Sequence, residues 1–218
     1  MPSDEYLPEP MVVICGPTGV GKSALVQRYL FGVFPPEVRD AIQADFAIRY
    51  RKRVEVDGEP CILEIHRSNR MESVATTDMF LRKADMFLLV YRIGSRESFD
   101  EMKERHQLIL GRREDKVPII LVGNKCDLSS NMRAVSPEEG ADLARELGCG
   151  FIETSAKDNV NVEQTFINLI REHRRMEQEK KQAPVEELTT KDVQEKEGRS
   201  FKDRILAFFK RLPRKKST

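Results

Sequence analysis

Three short stretches of this sequence carry residue types at spacings suited to phosphate and purine chemistry. Gly16-Pro17-Thr18-Gly19-Val20-Gly21-Lys22-Ser23 fits G-x-x-x-x-G-K-[ST]. Its glycines let successive backbone N–H groups curl around a phosphate chain, and a helix opening at the lysine adds its positive dipole end. In that pattern the lysine reaches the β and γ phosphates and the hydroxyl ligates Mg²⁺. The candidate phosphate set is therefore Gly16, Thr18, Gly19, Val20, Gly21, Lys22, Ser23 and Ala24, with Ser23 also the candidate metal ligand. A glycine-rich turn without a ligand is the bland alternative, and the strand-then-helix context weighs against it. The motif specifies a nucleoside triphosphate and leaves the base open.

Asn124-Lys125-Cys126-Asp127 addresses the base. A carboxylate there can accept from guanine N1–H and from the exocyclic amine. Adenine lacks that pair of donors, so it would leave the carboxylate unpaired and be rejected. Glu153-Thr154-Ser155-Ala156-Lys157 supplies a third contact, the Ala156 N–H to guanine O6 with Lys157 beside the ring. Taken alone, that third stretch reads equally well as a polar strand-to-helix loop. The candidate guanine set is Asn124, Lys125, Asp127, Ser155, Ala156 and Lys157.

The elements that must position these residues follow from the hydrophobic pattern. The apolar runs 11–15, 85–91 and 117–122 read as buried strands, and 151–152 as a last short one. Segments 46–56 and 61–65 alternate, and Val56-Asp57-Gly58-Glu59 between them is a hairpin signal. Helices are expected over 23–31, 96–110, 137 to about 147, and 161 to about 176. Ser136-Pro137-Glu138-Glu139 is a capped helix start, and Gly148 a stop. Strands alternating with helices imply a mainly parallel sheet with helices on both faces. Ligands of such sheets bind beyond the carboxyl ends of the strands, where all three motifs fall.

In this order, GPTGVGKSAL, RKRVEVDGE, ILVGNKCDL and FIETSAK resemble the small GTPases of the Ras superfamily, the Ras subfamily most closely, over roughly residues 11–176. The resemblance implies an α/β, three-layer P-loop NTPase fold with a six-stranded mainly parallel sheet and five helices. It also implies GTP/GDP and Mg²⁺ as ligands, and a switch that recruits effectors in its GTP form. The chain departs from the family at both switches. The family's switch threonine aligns near Asp45, and no Thr occurs from Ala24 to Ala75. The family's D-T-A-G-Q is replaced by Arg67-Ser68-Asn69-Arg70-Met71. Arg67 thus stands for the aspartate that holds a magnesium-bound water, Arg70 for the glycine that senses the γ-phosphate, and Met71 for the glutamine that orients the attacking water. A thioether cannot orient water as an amide does. Arg67 either weakens Mg²⁺ electrostatically or neutralises phosphate directly. No residue is assigned a catalytic role, and His66 reads as a structural histidine at a strand end.

The 218 residues carry a net charge of +1, unevenly spread. Segment 199–218 holds eight basic residues against one acid, for +7, and 177–198 holds seven acids against four lysines, for −3. The organisation expected is a disordered lead-in at 1–10, a Ras-like nucleotide-binding domain at 11–176, an acidic linker at 177–198 and a basic amphipathic tail at 199–218. Phe201, Ile205, Leu206, Phe208, Phe209 and Leu212 recur near helical spacing among the basic residues. Such a helix suits an anionic membrane or calmodulin, here through 199–216; a nuclear-localisation patch or a solvated charge run is the alternative. The chain ends Lys-Lys-Ser-Thr rather than Cys-a-a-X, so an unlipidated tail is expected. Four scattered cysteines, no 18-residue apolar run and no signal-like start point to a cytoplasmic protein bound peripherally at the inner face of the plasma membrane. A monomer without nucleic-acid partners is expected, with effectors unnamed. The leading reading is a GTP/GDP-binding signalling protein with weak or absent hydrolysis. An active GTPase with partner-supplied catalysis and a non-enzymatic scaffold stay open.

Overall fold

The computed structural model describes residues 7–34, 49–67 and 74–182. The six strands are β1 (Met11–Cys15), β2 (Arg49–Val56), β3 (Glu59–Arg67), β4 (Met86–Arg92), β5 (Ile119–Asn124) and β6 (Gly150–Thr154). They form one sheet in the order β2-β3-β1-β4-β5-β6. Only the β2–β3 pair is antiparallel. Among the described residues, five α-helices flank them: α1 (Lys22–Phe31), α2 (Val74–Lys83), α3 (Arg96–Leu110), α4 (Pro137–Leu147) and α5 (Val162–Gln182). This is the three-layer α/β fold expected from the sequence.

Side-chain alternation along the strands builds two cores. Val12 and Ile14 of β1 pack toward α1 and α5, with Leu25, Val26, Phe166, Leu169 and Ile170. Val13 and Cys15 face the other way, among Phe87, Leu89, Met102, Ile109 and Leu143. Because both faces are covered, the central strands are apolar along their length, and six of the seven residues of β4 are buried. The edge strand β2 instead alternates exposed and half-buried residues and carries four charges on its outer positions.

The β2–β3 hairpin turns on Asp57 (φ 55°) and Gly58 (φ 79°), two left-handed residues as a tight type I′ turn requires. The same turn is fastened to the last helix. Arg171 donates to both Asp57 carboxylate oxygens at 2.8 and 2.6 Å, and Arg174 donates to the carbonyls of Val56 and Glu59 at 2.6 and 2.9 Å.

Several boundaries differ from those read in the sequence. β3 starts two residues earlier and ends two later than 61–65, because its ladder with β2 continues from Val56↔Glu59 to Arg49↔His66. α5 continues to Gln182, so the first six residues of the expected acidic linker are helical. Glu, Gln and Lys, which fill 177–182, are good helix formers. α2 was not expected at all. Its Val74, Thr76 and Thr77 have poor helix propensity, and tertiary contacts carry it: Leu81 is buried, and Asp78, besides its pair with Arg82 one turn on, pairs with Arg112 after α3. The expected strand residues 46–48, the switch position Asp45, residues 68–71 and the tail at 199–216 lie outside the described residues.

By packing, the chain divides into Met1–Gln178 and Glu179–Thr218; of the latter only the end of α5 is described. The four cysteines are unbridged. Burial pushes the Cys149 thiol up to about 11, which leaves it a small apolar side chain rather than a nucleophile. No helix among the described residues is long and apolar enough to cross a membrane.

Candidate nucleotide-binding site

The carboxyl ends of β1, β5 and β6 bring the three motifs together. β1 stops at Cys15, and the chain turns at Gly16 with φ 152°. A Cβ there would lie 2.1 Å from the Val90 carbonyl oxygen of β4, so the loop leaves the sheet at backbone-to-backbone contact that only glycine allows. Gly21 caps α1 with φ 102°, and a Cβ on it would meet Asn124 Nδ2 at 2.3 Å. No side chain caps α1 and no acid sits in its first turn. Its N-terminal N–H groups and positive dipole end therefore suit an anion.

Lys22 curls across the loop and donates from Nζ to the carbonyls of Gly16 at 2.6 Å and Pro17 at 2.8 Å. Burial pushes its ammonium down to about 8, and the nearby Arg105 charge adds to the depression, as does that of Arg67. A phosphate chain would reverse both influences by supplying negative charge.

β5 ends in Asn124, whose side chain is a brace. Nδ2 donates to Val20 O at 2.8 Å and Oδ1 accepts from Thr154 Oγ1 at 3.0 Å, which ties the phosphate loop, β5 and β6 together. Asn124 is only 1% exposed, so its amide acts within the protein. Lys125 adopts φ 69° and donates from Nζ to Gly19 O at 2.9 Å. A left-handed lysine costs of order 1 kcal/mol or more and is kept here by the Asn124 and Lys125 ties on either side of the turn. Burial lowers the Lys125 pKa, and the charge of Arg92 lowers it further.

Asp127 is positioned by the loop after β6. Its Oδ1 accepts from Ser155 Oγ at 2.7 Å, and Oδ2 has Lys157 Nζ at 4.0 Å. Ser155 is fully buried, and its Oγ also accepts from Asp158 N at 2.9 Å. Its backbone pairs with Val160 in both directions, which closes the loop on itself. A carboxylate held in this way can receive a planar donor pair without rotating.

Arg28 is the residue that sequence reasoning missed. From α1 it donates to Ala156 O at 2.8 Å and to Lys157 O at 2.9 Å, joining the phosphate-loop helix to the guanine loop. No local pattern marks an arginine 128 residues from its partner. Thr154 was visible only as a member of its motif. His66 is buried, its Nε2 lies 2.6 Å from Glu64 Oε1, and its ring packs on Phe80 with centroids 4.3 Å apart. That is a structural setting.

The Ser23 hydroxyl, expected as a magnesium ligand, accepts a hydrogen bond from Arg67 Nη1. Mg²⁺ requires near-octahedral oxygen ligation, commonly with carboxylate support. Arg67 stands where the family resemblance places that support, and it sits on the Ser23 hydroxyl itself. A guanidinium on the ligating hydroxyl places a fixed positive charge against a divalent cation. The described residues do not fit Mg²⁺.

Comparison with known proteins agrees with this geometry. The chain is 39% identical over 181 residues to the Ras-like protein rasS of Dictyostelium discoideum, a match covering 82% of this chain and 91% of that protein. A sequence model of the Ras family matches residues 11–175, from the first residue of β1 well into α5. The chain belongs to the Ras family of small GTP-binding proteins.

Proposed function

We propose that this protein binds GTP and GDP as a signalling switch or interaction module, with GTP hydrolysis weak or absent, and that its basic tail holds it at an anionic membrane. The observation that supports guanine binding best is the assembly around Asp127. Its carboxylate is fixed by Ser155 at the same sheet edge where Lys22 and the open N-terminus of α1 gather positive charge. Extraction of the purified protein, with identification of the base and phosphate number, tests the reading. Guanine nucleotide is expected, and its absence would favour a scaffold.

Weak hydrolysis follows from residue chemistry. Met71 stands where the family has a water-orienting glutamine, and a thioether is a weak acceptor with no donor. Arg70 in place of the sensing glycine removes a contact that reports the γ-phosphate. Single-turnover hydrolysis by the pure protein is expected at or below on the order of 10⁻⁴ s⁻¹, the slow intrinsic rate of Ras-type proteins. Fast turnover without a partner would overturn this reading.

The tail reading rests on +7 net charge over 199–218 interleaved with Phe, Leu and Ile. Each basic residue near an anionic leaflet contributes about 1 kcal/mol, and the apolar side chains add anchoring that salt does not screen. The expected location is cytoplasmic, peripheral to the inner face of the plasma membrane, as a monomer. Co-sedimentation with phosphatidylserine vesicles should retain the full chain and lose a chain ending at Gly198. Equal binding by both, or by neither at physiological salt, rejects it. Ca²⁺–calmodulin added to the same assay should compete for the tail.

A further inference from the structure

We propose that the Arg67 guanidinium, seated on the Ser23 hydroxyl, is a built-in cation of the phosphate site, so that this protein retains guanine nucleotide without a divalent metal. The inference rests on the guanine-nucleotide reading above.

The placement of Arg67 follows from β3. The parallel register pairs Ile14 of β1 with Arg67, two residues before the loop begins at Gly16. Alternation then sets the side. Leu63 and Ile65 belong to the core shared with α1, whereas Glu64 and His66 interact with each other, and His66 with Phe80, on the other face. Arg67, next in the odd series, therefore points to the side of α1, and its Nη1 donates to Ser23 Oγ in the first turn of that helix. The residue is the last of β3 and pairs there with Ile14 of β1, one position beyond the end of the β2 ladder, so the sheet fixes its backbone on the β1 side.

The chemistry suits a phosphate chain. A guanidinium keeps its charge at any physiological pH and carries five donors in a planar fork, of which Ser23 takes one. Arginine pairs with phosphate oxygens bidentately through N–H donors, whereas Mg²⁺ takes them as ligands in an octahedral shell that waters and protein oxygens must complete. In this chain the residue that would support the metal and the charge that would replace it are the same position. The Ser23 hydroxyl orients the arginine instead of ligating an ion.

The test is release of a fluorescent guanine nucleotide, N-methylanthraniloyl-GDP, from the full chain in Mg²⁺ or in excess EDTA. Chelation is expected to change the dissociation rate by less than about threefold. Arg67→Ala should accelerate release about 10- to 100-fold in both buffers, the worth of a charge-assisted contact. Arg67→Asp should restore a metal requirement, with slow release only when Mg²⁺ is present. Arg67→Lys, which keeps the charge without the fork, should fall between the wild type and the alanine variant. If chelation speeds release from the unmodified protein tenfold or more, the proposal is overturned while guanine binding stands. If the protein holds no guanine nucleotide in either buffer, the guanine reading fails and this inference with it.

Discussion

Replacing Asp127 with Asn is expected to exchange guanine selectivity for xanthine selectivity. In the native site Oδ1 already accepts from Ser155 Oγ at 2.7 Å, so the carboxylate is oriented before any base arrives. Guanine offers two donors along one edge, and a fixed carboxylate accepts both. An amide in the same place presents one donor toward the base, which clashes with guanine N–H and matches the xanthine oxo group. Losing two charge-assisted hydrogen bonds and leaving donors facing each other should weaken GDP by on the order of 10³-fold. Xanthosine diphosphate should gain in the same variant. Titration of Asp127→Asn with both nucleotides checks the exchange, and unchanged GDP affinity would remove Asp127 from the base site. The fold should tolerate the change, because Ser155 Oγ can donate to the amide oxygen as it does to the carboxylate.

Gly16→Ala should be the most damaging small substitution in the phosphate loop. The new methyl carbon would lie 2.1 Å from Val90 O, a backbone atom in the middle of a strand that is hydrogen-bonded on both sides. Neither partner can rotate away, as a flexible side chain would. The φ of 152° adds strain for any residue with a Cβ. A cost of about 3 kcal/mol is expected, which for a domain of this size lowers Tm by roughly 6–12 °C. Thermal unfolding followed by circular dichroism measures it, and a Tm within about 2 °C of the native protein would mean that the loop leaves the sheet differently.

The sequence was most readable where a local rule and a tertiary need coincide. The apolar run before Gly16 and the lysine after Gly21 marked β1, the loop and α1 together. α4 could be bounded at both ends because Ser136 and Glu139 form a reciprocal cap and Gly148 takes the left-handed turn that stops it. α3 was bounded by its hydrophobic period, although its actual cap, Ser95 accepting from Ser98 N, had not been noticed. α2 escaped because its opening residues are poor helix formers and an exposed i,i+4 pair such as Asp78–Arg82 is a weak signal. Strand ends moved because ladder partners, not composition, decide where pairing stops.

At the site, the residues of each motif were legible and their mutual ties were not. Asn124 was read as a member of the guanine set, and its amide also braces Val20 and Thr154, which its motif did not reveal. Arg67 was visible as a departure from a family pattern, yet its hydrogen bond to Ser23 spans 44 residues and needs the β1–β3 register to bring the two together. Arg28 had no visible role until α1 and the 155–157 loop were adjacent. Long-range polar contacts of this kind are set by topology, and no periodicity encodes them.

The fastening of the β2–β3 turn to α5 makes the hairpin a mechanical linkage. Two arginines one helical turn apart grip the turn at Asp57, Val56 and Glu59. From there β3 runs nine residues without interruption to Arg67, roughly 27 Å of extended backbone. Extended strands in a sheet resist stretching far more than they resist bending. A pull or twist on α5 is therefore delivered at one end of a stiff rod whose other end bears the guanidinium at the phosphate loop. The turn that α5 holds and the guanidinium on the Ser23 hydroxyl are thus the two ends of one element.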